Sequence, residues 1–319
     1  MIAELLILVG GVIALYFGAE WLVRGAARLA ASMGVSAMAV GLTVVSFGTS
    51  APELVVVIVA ALRGNGDLAV GNVLGSNLAN IGLILGITAL ITPLKVSGTV
   101  LRREVPIMLA ITILLYPVMG DGTVGRLDGV ILVSTLVFYL IFVLRSAGEE
   151  SAEVVGEYER FARALANLAG KSSWKDIGLI VAGSVGLVVG GRAIVDSATF
   201  LAVELGVSDL VMGLTLVAVG TSLPELATSV VAALRKEADI AVGNVIGSNI
   251  FNITAVLGIS SLVQPFSVVK SVLSVEIPAV LLLSILVLPL AVKRYEIRRW
   301  EGLILLFAYG TLTYAVVTW

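Results

Sequence analysis

Residues 34–54 read GVSAMAVGLTVVSFGTSAPEL, and residues 206–226 read GVSDLVMGLTLVAVGTSLPEL. The offset is 172 (206 − 34), and it carries positions 18–95 onto 190–267 without a gap. Within that alignment LAVGNVLGSNLANIGLILGI at 68–87 falls on IAVGNVIGSNIFNITAVLGI at 240–259, and Pro93 falls on Pro265. The chain is one pattern written twice. In a membrane protein, repeats of this size point to transporter architecture, with the binding site where the halves meet.

The membrane assignment follows from composition. Of the 319 residues 59% are hydrophobic and 13% charged, more apolar surface than a water-soluble fold of this length can hide. Runs such as 2–17, 130–144 and 272–292 approach or reach the length that crosses about 30 Å of hydrocarbon. Lipid leaves no partner for open backbone groups, so these runs read as helices. The pattern predicts an all-α polytopic membrane protein with ten transmembrane helices, over 2–28, 35–62, 68–91, 100–119, 125–145, 175–203, 207–234, 240–263, 271–292 and 300–318. Five helices per copy is an odd number, so the second repeat must insert upside down relative to the first. The organisation expected is a five-helix repeat over 1–145, a charged linker over 146–174 and an inverted five-helix repeat over 175–319.

Charge gives the sidedness. Of the 20 Lys and Arg residues, Arg63, Arg126, Arg192 and Lys270 fall on one side and the other 16 on the side of the 146–174 loop. The positive-inside rule then puts that loop in the cytoplasm and both termini outside a cell membrane. Glu149, Glu150, Glu153, Glu157 and Glu159 make the linker a solvated tether with some helical character. The first apolar run lacks the basic start of a secretory signal: its only early charge is Glu4, and Arg24 and Arg28 follow it. It is expected to be the first retained helix.

Cysteine and histidine are both absent. Disulfides, soft metal sites and His-based catalysis go with them, and a membrane hydrolase has no nucleophile–base pair in the motifs. No prosthetic group is expected, and a net charge of −2 gives nucleic acid no purchase. Any ion site must be built from oxygen, which suits hard cations.

The motifs supply that oxygen. In Gly48-Thr49-Ser50-Ala51-Pro52-Glu53, Pro52 has no N–H for the Gly48 carbonyl and its ring crowds the preceding turn. Gly220-Thr221-Ser222-Leu223-Pro224-Glu225 repeats the situation. Each helix should kink or unwind near mid-membrane, baring carbonyls beside two hydroxyls and a carboxylate. A lone carboxylate at that depth costs at least about 2.5–3.5 kcal/mol. Two in equivalent places are tolerable facing one another across a cation; the blander alternative is a pair of protonated, hydrogen-bonded core glutamates. Asn72, Ser76 and Asn80 follow i, i+4, i+8 spacing and form a polar stripe, repeated by Asn244, Ser248 and Asn252. The stripe either lines the site or glues helices together. Asn77 and Asn249 lie about 100° round the helix and are expected to satisfy carbonyls freed in the neighbouring broken helix. Gly71, Gly75, Gly82, Gly86, Gly243, Gly247 and Gly258 allow close helix contact.

Two carboxylates can be neutralised by one Ca²⁺, by two or more Na⁺, or by protons. A site comfortable with either load and uncomfortable empty exchanges them obligatorily, which is antiport without ATP. A proton/calcium antiporter is the nearest rival, and a passive cation channel fits the inverted broken helices less well.

At these residues the sequence resembles the calcium/cation antiporter superfamily, specifically the prokaryotic sodium/calcium exchanger branch. The resemblance covers nearly the whole chain and is carried by G-T-S-x-P-E and G-N-x-x-G-S-N-x-x-N in both copies. Proton-coupled relatives usually carry G-N-x-x-E in place of the first motif, which favours Na⁺ here. The resemblance implies Ca²⁺ and Na⁺ as substrates, a monomer in the lipid bilayer, and a core of the second, third, seventh and eighth helices across which the first and sixth slide. It implies Glu53, Glu225, Thr49 and Thr221 around Ca²⁺, with Asn80 and Asn252 at the central locus. Ser50 and Ser76 with the Ser46 carbonyl match one peripheral Na⁺ position; Ser222 and Ser248 with the Ala218 carbonyl match the other. Some relatives, potassium-dependent ones included, have aspartate at the position of Asn252, so its absence argues against K⁺ coupling.

Overall fold

The computed structural model describes residues 2–33, 35–146, 173–204 and 218–318. Nearly all of the charged linker and the first part of the helix expected over 207–234 lie outside them. The described chain is helical apart from four strands of two residues each.

Helix α1 spans Ile2–Met33 and runs past Arg24 and Arg28, beyond the boundary expected at 28. Arginine is a good helix former, and both cations also have an acidic partner. Arg24 lies 2.5 Å from Glu20 one turn earlier, and Arg28 lies 3.9 Å from Asp176. Then come α2 (Ala37–Thr49) and α3 (Ala51–Leu62), bent by 47° at the break between them. Next are α4 (Gly66–Ile91), α5 over 100–119 and α6 (Arg126–Ser146). Helix α7 (Ser173–Glu204) opens the second half, followed by α8 (Ala218–Thr221), α9 (Leu223–Leu234), α10 (Ala238–Val263), α11 (Val272–Val292) and α12 (Arg299–Thr318). Among the described residues six helices are long and apolar enough to cross a membrane, or seven if α2 and α3 count as one bent span. Helix α5 departs from a uniform span: it begins as a π-helical turn over Val100–Glu104 that carries Arg102, Arg103 and Glu104.

Two strand ribbons relate the halves. β1 (Leu94–Lys95) pairs antiparallel with β4 (Glu296–Ile297), and β2 (Thr123–Val124) with β3 (Phe266–Ser267). β1 maps onto β3 at the offset of 172 (266 − 94), so each ribbon joins a strand of one copy to the non-equivalent strand of the other. The offset becomes 173 (296 − 123) for the remaining strands, so one extra residue enters the second copy between Pro289 and Glu296. The helix caps follow the new register: Asp128 accepts from the Gly125 amide at 2.8 Å, and Glu301 from the Arg298 amide at 2.6 Å. At the bend before each of these last helices the backbone takes positive φ. It is +83° at Gly122 and +54° at Tyr295, a costly conformation for an aromatic residue. The Arg102 guanidinium donates to the Tyr295 hydroxyl at 3.2 Å and helps hold it there.

Burial follows polarity. α10, which carries Asn244, Ser248, Asn249 and Asn252, is buried from Ile240 to Gly258, and α4 is buried over most of its length. Amides and hydroxyls cannot face hydrocarbon without partners, so the helices that carry them take the centre. The apolar helices α6 and α7 form the periphery and expose residues such as Phe138 and Val189. Close approach depends on glycine at Gly247, where a Cβ would collide with the Ser46 hydroxyl and the Leu42 backbone. It does so again where α1 crosses α7: a Cβ on Gly18 would lie 2.8 Å from the Leu187 nitrogen. Gly71 and Gly75 have no described neighbour within 4 Å, unlike the other glycines expected to make helix contacts.

Candidate cation site

Both proline motifs break their helices as expected. Ser50 (φ −83°, ψ 6°) separates α2 from α3, and Ser222 (φ −89°, ψ 5°) separates α8 from α9. Pro52 and Pro224 occupy the first turn of the new helix, where a missing N–H costs nothing. Glu53 and Glu225 occupy the same first turns, so each carboxylate sits at a helix N-terminus, the end that favours negative charge. Glu53 is 0% and Glu225 1% exposed, and they lie within electrostatic reach of one another. Ser50 bridges the halves by donating to Oε1 of Glu225 at 3.3 Å.

The structure groups the peripheral residues differently from what the resemblance implies. Ser46 and Thr49 do not face the stripe of their own copy. They face the stripe of the other, because α2 packs against α10. The Thr49 hydroxyl lies 3.1 Å from Asn244 Oδ1 and 3.4 Å from Ser248 Oγ. The Ser46 hydroxyl lies 2.7 Å from the Gly41 carbonyl and 3.1 Å from that of Asn244, while its own carbonyl accepts from the Ser50 amide at 2.9 Å. Ser76 stands on α4, which packs against α8 and therefore against the segment from Ala218 to Thr221. The structure thus groups Ser46, Thr49 and Ser50 with Ser248 and Glu225, and sets Ser76 beside the helix that ends at Thr221.

A second correction concerns Asn77 and Asn249. They do not serve the broken helices but meet at the contact between the copies. Asn77 donates to the Asn249 carbonyl at 3.1 Å. Asn80 donates to Asn249 Oδ1 at 3.2 Å, and Asn252 donates to Asn77 Oδ1 at 3.0 Å, two bonds related by the offset of 172 (252 − 80). The Asn249 amide also reaches the sulfur of Met108 at 3.4 Å. These bonds engage the NH₂ groups of Asn80 and Asn252 and leave both Oδ1 atoms free to act as ligands. Asn80 and Asn252 each open a π-helical turn, over Asn80–Ile84 and Asn252–Leu257, a feature common at functional sites that spacing alone did not reveal.

Among the described residues 14 buried side-chain polar atoms have no hydrogen-bond partner, and nine belong to the two motifs. They are both carboxylate oxygens of Glu53, Oε2 of Glu225, the hydroxyls of Ser76, Thr221 and Ser222, and Oδ1 of Asn72, Asn80 and Asn252. Native structures leave few such atoms, and those they leave need a reason. All nine are hard oxygens, two carboxylates contribute to them, and a six- to eight-oxygen cation shell draws on this chemistry. Ser229 escaped the sequence reading. It accepts from the Asn244 amide at 3.1 Å, and the clue lay in the repeat, where Val57 holds the equivalent place.

Known proteins resemble this chain along nearly its whole length. The model of the family described as "Sodium/calcium exchanger protein" matches residues 3–145 and 175–318. The chain is 40% identical over 292 residues to the inner membrane protein YrbG of Escherichia coli (strain K12), covering 90% of this chain and 88% of that protein. It is 35% identical to the sodium/calcium exchanger MaX1 of Methanosarcina acetivorans, with 95% of each chain covered. A solved structure of the sodium-calcium exchanger NCX_Mj, soaked with Na⁺ and Ca²⁺, superimposes with a TM-score of 0.81 at 32% identity, covering 98% of this chain and 97% of that one. With its apolar helices, this is a multi-pass membrane protein. Matched across both of its halves, the chain belongs to the sodium/calcium exchanger protein family.

Proposed function

We propose that this protein is a secondary antiporter that exchanges Na⁺ for Ca²⁺ by alternating access at the site between Glu53 and Glu225. One Ca²⁺ neutralises both carboxylates, and two or more Na⁺ do the same, so either load relieves the repulsion of the empty pair. Thr49, Thr221, Asn80 and Asn252 complete the central shell. Ser46, Thr49, Ser50 and Ser248 serve the Na⁺ position beside Glu225; Ala218, Thr221, Ser222 and Ser76 serve the one beside Glu53. No covalent step and no prosthetic group is involved. The observation that carries this reading is that the two motifs hold nine unpartnered buried oxygens, three of them carboxylate oxygens of Glu53 and Glu225. The names of MaX1 and NCX_Mj support the choice of ions.

The proposed architecture has ten spans in two inverted five-helix repeats, 1–145 and 175–319, joined by a cytoplasmic linker over 146–174, with both termini outside the cell membrane and one chain as the working unit. The reciprocal ribbons and reciprocal asparagine bonds support a two-fold relation between the halves. The test is uptake of labelled Ca²⁺ into vesicles of reconstituted protein loaded with Na⁺, with pH clamped. Uptake should require the outward Na⁺ gradient; uptake indifferent to Na⁺ would refute the proposal.

A further inference from the structure

The two copies of the site are not equally braced. Asn244 is fully buried and each end of its amide is committed. Its Nδ2 donates to Ser229 Oγ at 3.1 Å and lies 3.4 Å from the Glu225 carbonyl. A carbonyl only accepts, so the NH₂ must point there, and Oδ1 must point the other way, toward Thr49. The Thr49 hydroxyl has that Oδ1, at 3.1 Å, as its nearest acceptor, ahead of the Ser46 carbonyl at 3.3 Å. With the proton so placed, the oxygen of Thr49 keeps its lone pairs for the Glu225 side of the site.

The other copy lacks this device. Val57 stands where Ser229 does (229 − 172 = 57), so that position offers Asn72 no hydroxyl. Asn72 is only half-buried, and its Oδ1 has no partner among the described residues, nor does the Thr221 hydroxyl. A hydroxyl without a fixed acceptor must reorient before it can offer its oxygen to a cation, and that reorientation subtracts from affinity.

We propose that Ser229 and Asn244 are positioning residues that preorganise the Glu225 half of the site for Na⁺ and make it the tighter half. This rests on the exchange function proposed above. Neither residue needs to touch the ion: Ser229 orients Asn244, Asn244 accepts the hydrogen bond of the Thr49 hydroxyl, and Thr49 is left as a neutral oxygen ligand. The effect falls mainly on Na⁺. Ca²⁺ is attracted chiefly by two carboxylates, whereas a monovalent ion beside one carboxylate depends proportionately more on neutral donors.

The test compares the full-length protein with Ser229→Ala and Ser229→Thr in reconstituted vesicles, measuring Ca²⁺ uptake as internal Na⁺ and external Ca²⁺ are varied separately. Ser229→Ala should raise the Na⁺ concentration for half-maximal uptake roughly fivefold, the scale of one buried hydrogen bond. The Ca²⁺ half-saturation and maximal rate should stay within about twofold, and Ser229→Thr, which keeps the hydroxyl, should restore the Na⁺ dependence. An unchanged Na⁺ curve in Ser229→Ala overturns the inference while leaving the exchange function standing. So does an equal loss in both half-saturations and in rate, the mark of a merely structural residue, and so does failure of threonine to rescue. Absence of Na⁺-dependent uptake in the unsubstituted protein overturns both together.

Discussion

Glu53 and Glu225 are the residues on which the proposed transport rests: among the described residues they are the pair of carboxylates buried together at the contact between the two copies. Exchanging either for glutamine keeps size and one oxygen but removes the charge that balances the ions. Glu53→Gln and Glu225→Gln should each abolish Ca²⁺ uptake while normal amounts of protein reach the membrane, measured by vesicle flux and surface biotinylation. Retained exchange in either variant would contradict the role assigned here. Asn77 and Asn249 act one bond further out. Asn77→Ala removes the acceptor that holds the Asn252 amide and leaves that NH₂ unpaired in a buried setting. One unsatisfied buried donor costs about 1–3 kcal/mol, so Ca²⁺ half-saturation should rise roughly tenfold. Sequence spacing put Asn77 off the polar stripe correctly but named the wrong partner. Spacing along one helix carries no information about which helix of the other copy lies across from it.

At the scale of elements, the helix breaks were legible because proline and glycine act locally. Removing Pro52 should undo one of them. Pro52→Ala restores an N–H one turn below the Gly48 carbonyl and permits a continuous helix across the 47° bend. The variant should keep its thermal stability in detergent while losing most of its transport, because the first turn that presents Glu53 no longer exists. Helix contacts give the opposite case. At Gly247 a Cβ would strike the Ser46 hydroxyl and the Leu42 carbonyl, so α2 and α10 must separate to admit it. Gly247→Ala should lower the melting temperature by an amount equivalent to about 1–3 kcal/mol, read by fluorescence-monitored unfolding in detergent. The π-helical turns at Asn80 and Asn252 were not legible in advance. They arise where a helix accommodates an inserted residue against its neighbours, which a propensity scale does not record.

Over the whole molecule, the absence of cysteine makes the proposed sidedness directly measurable. Single cysteines at Lys270 and Lys293 lie on exposed turns at opposite ends of α11. In intact cells the cysteine at 270 should react with a membrane-impermeant maleimide and the one at 293 only after permeabilisation. The reverse pattern would invert the topology. The two ribbons link the copies at separate places, β1 with β4 and β2 with β3, an arrangement natural to halves related by a two-fold axis lying in the membrane.

The sequence by itself determined the repeat, the positions of both helix breaks, the buried carboxylates and the choice of hard oxygen ligands, since each follows from residue type and local spacing. Only the tertiary structure decided which copy supplies each wall of the site. An internal repeat is equally compatible with a motif facing its own stripe or that of its twin. Packing chose the twin, because Gly247 lets α10 approach α2 closely enough for Thr49 to meet Asn244 and Ser248. The inequality of the two halves comes from the same source: Val57 and Ser229 are a minor difference in a list of residues, and acquire consequence only once an asparagine amide lies within 3.1 Å of one of them.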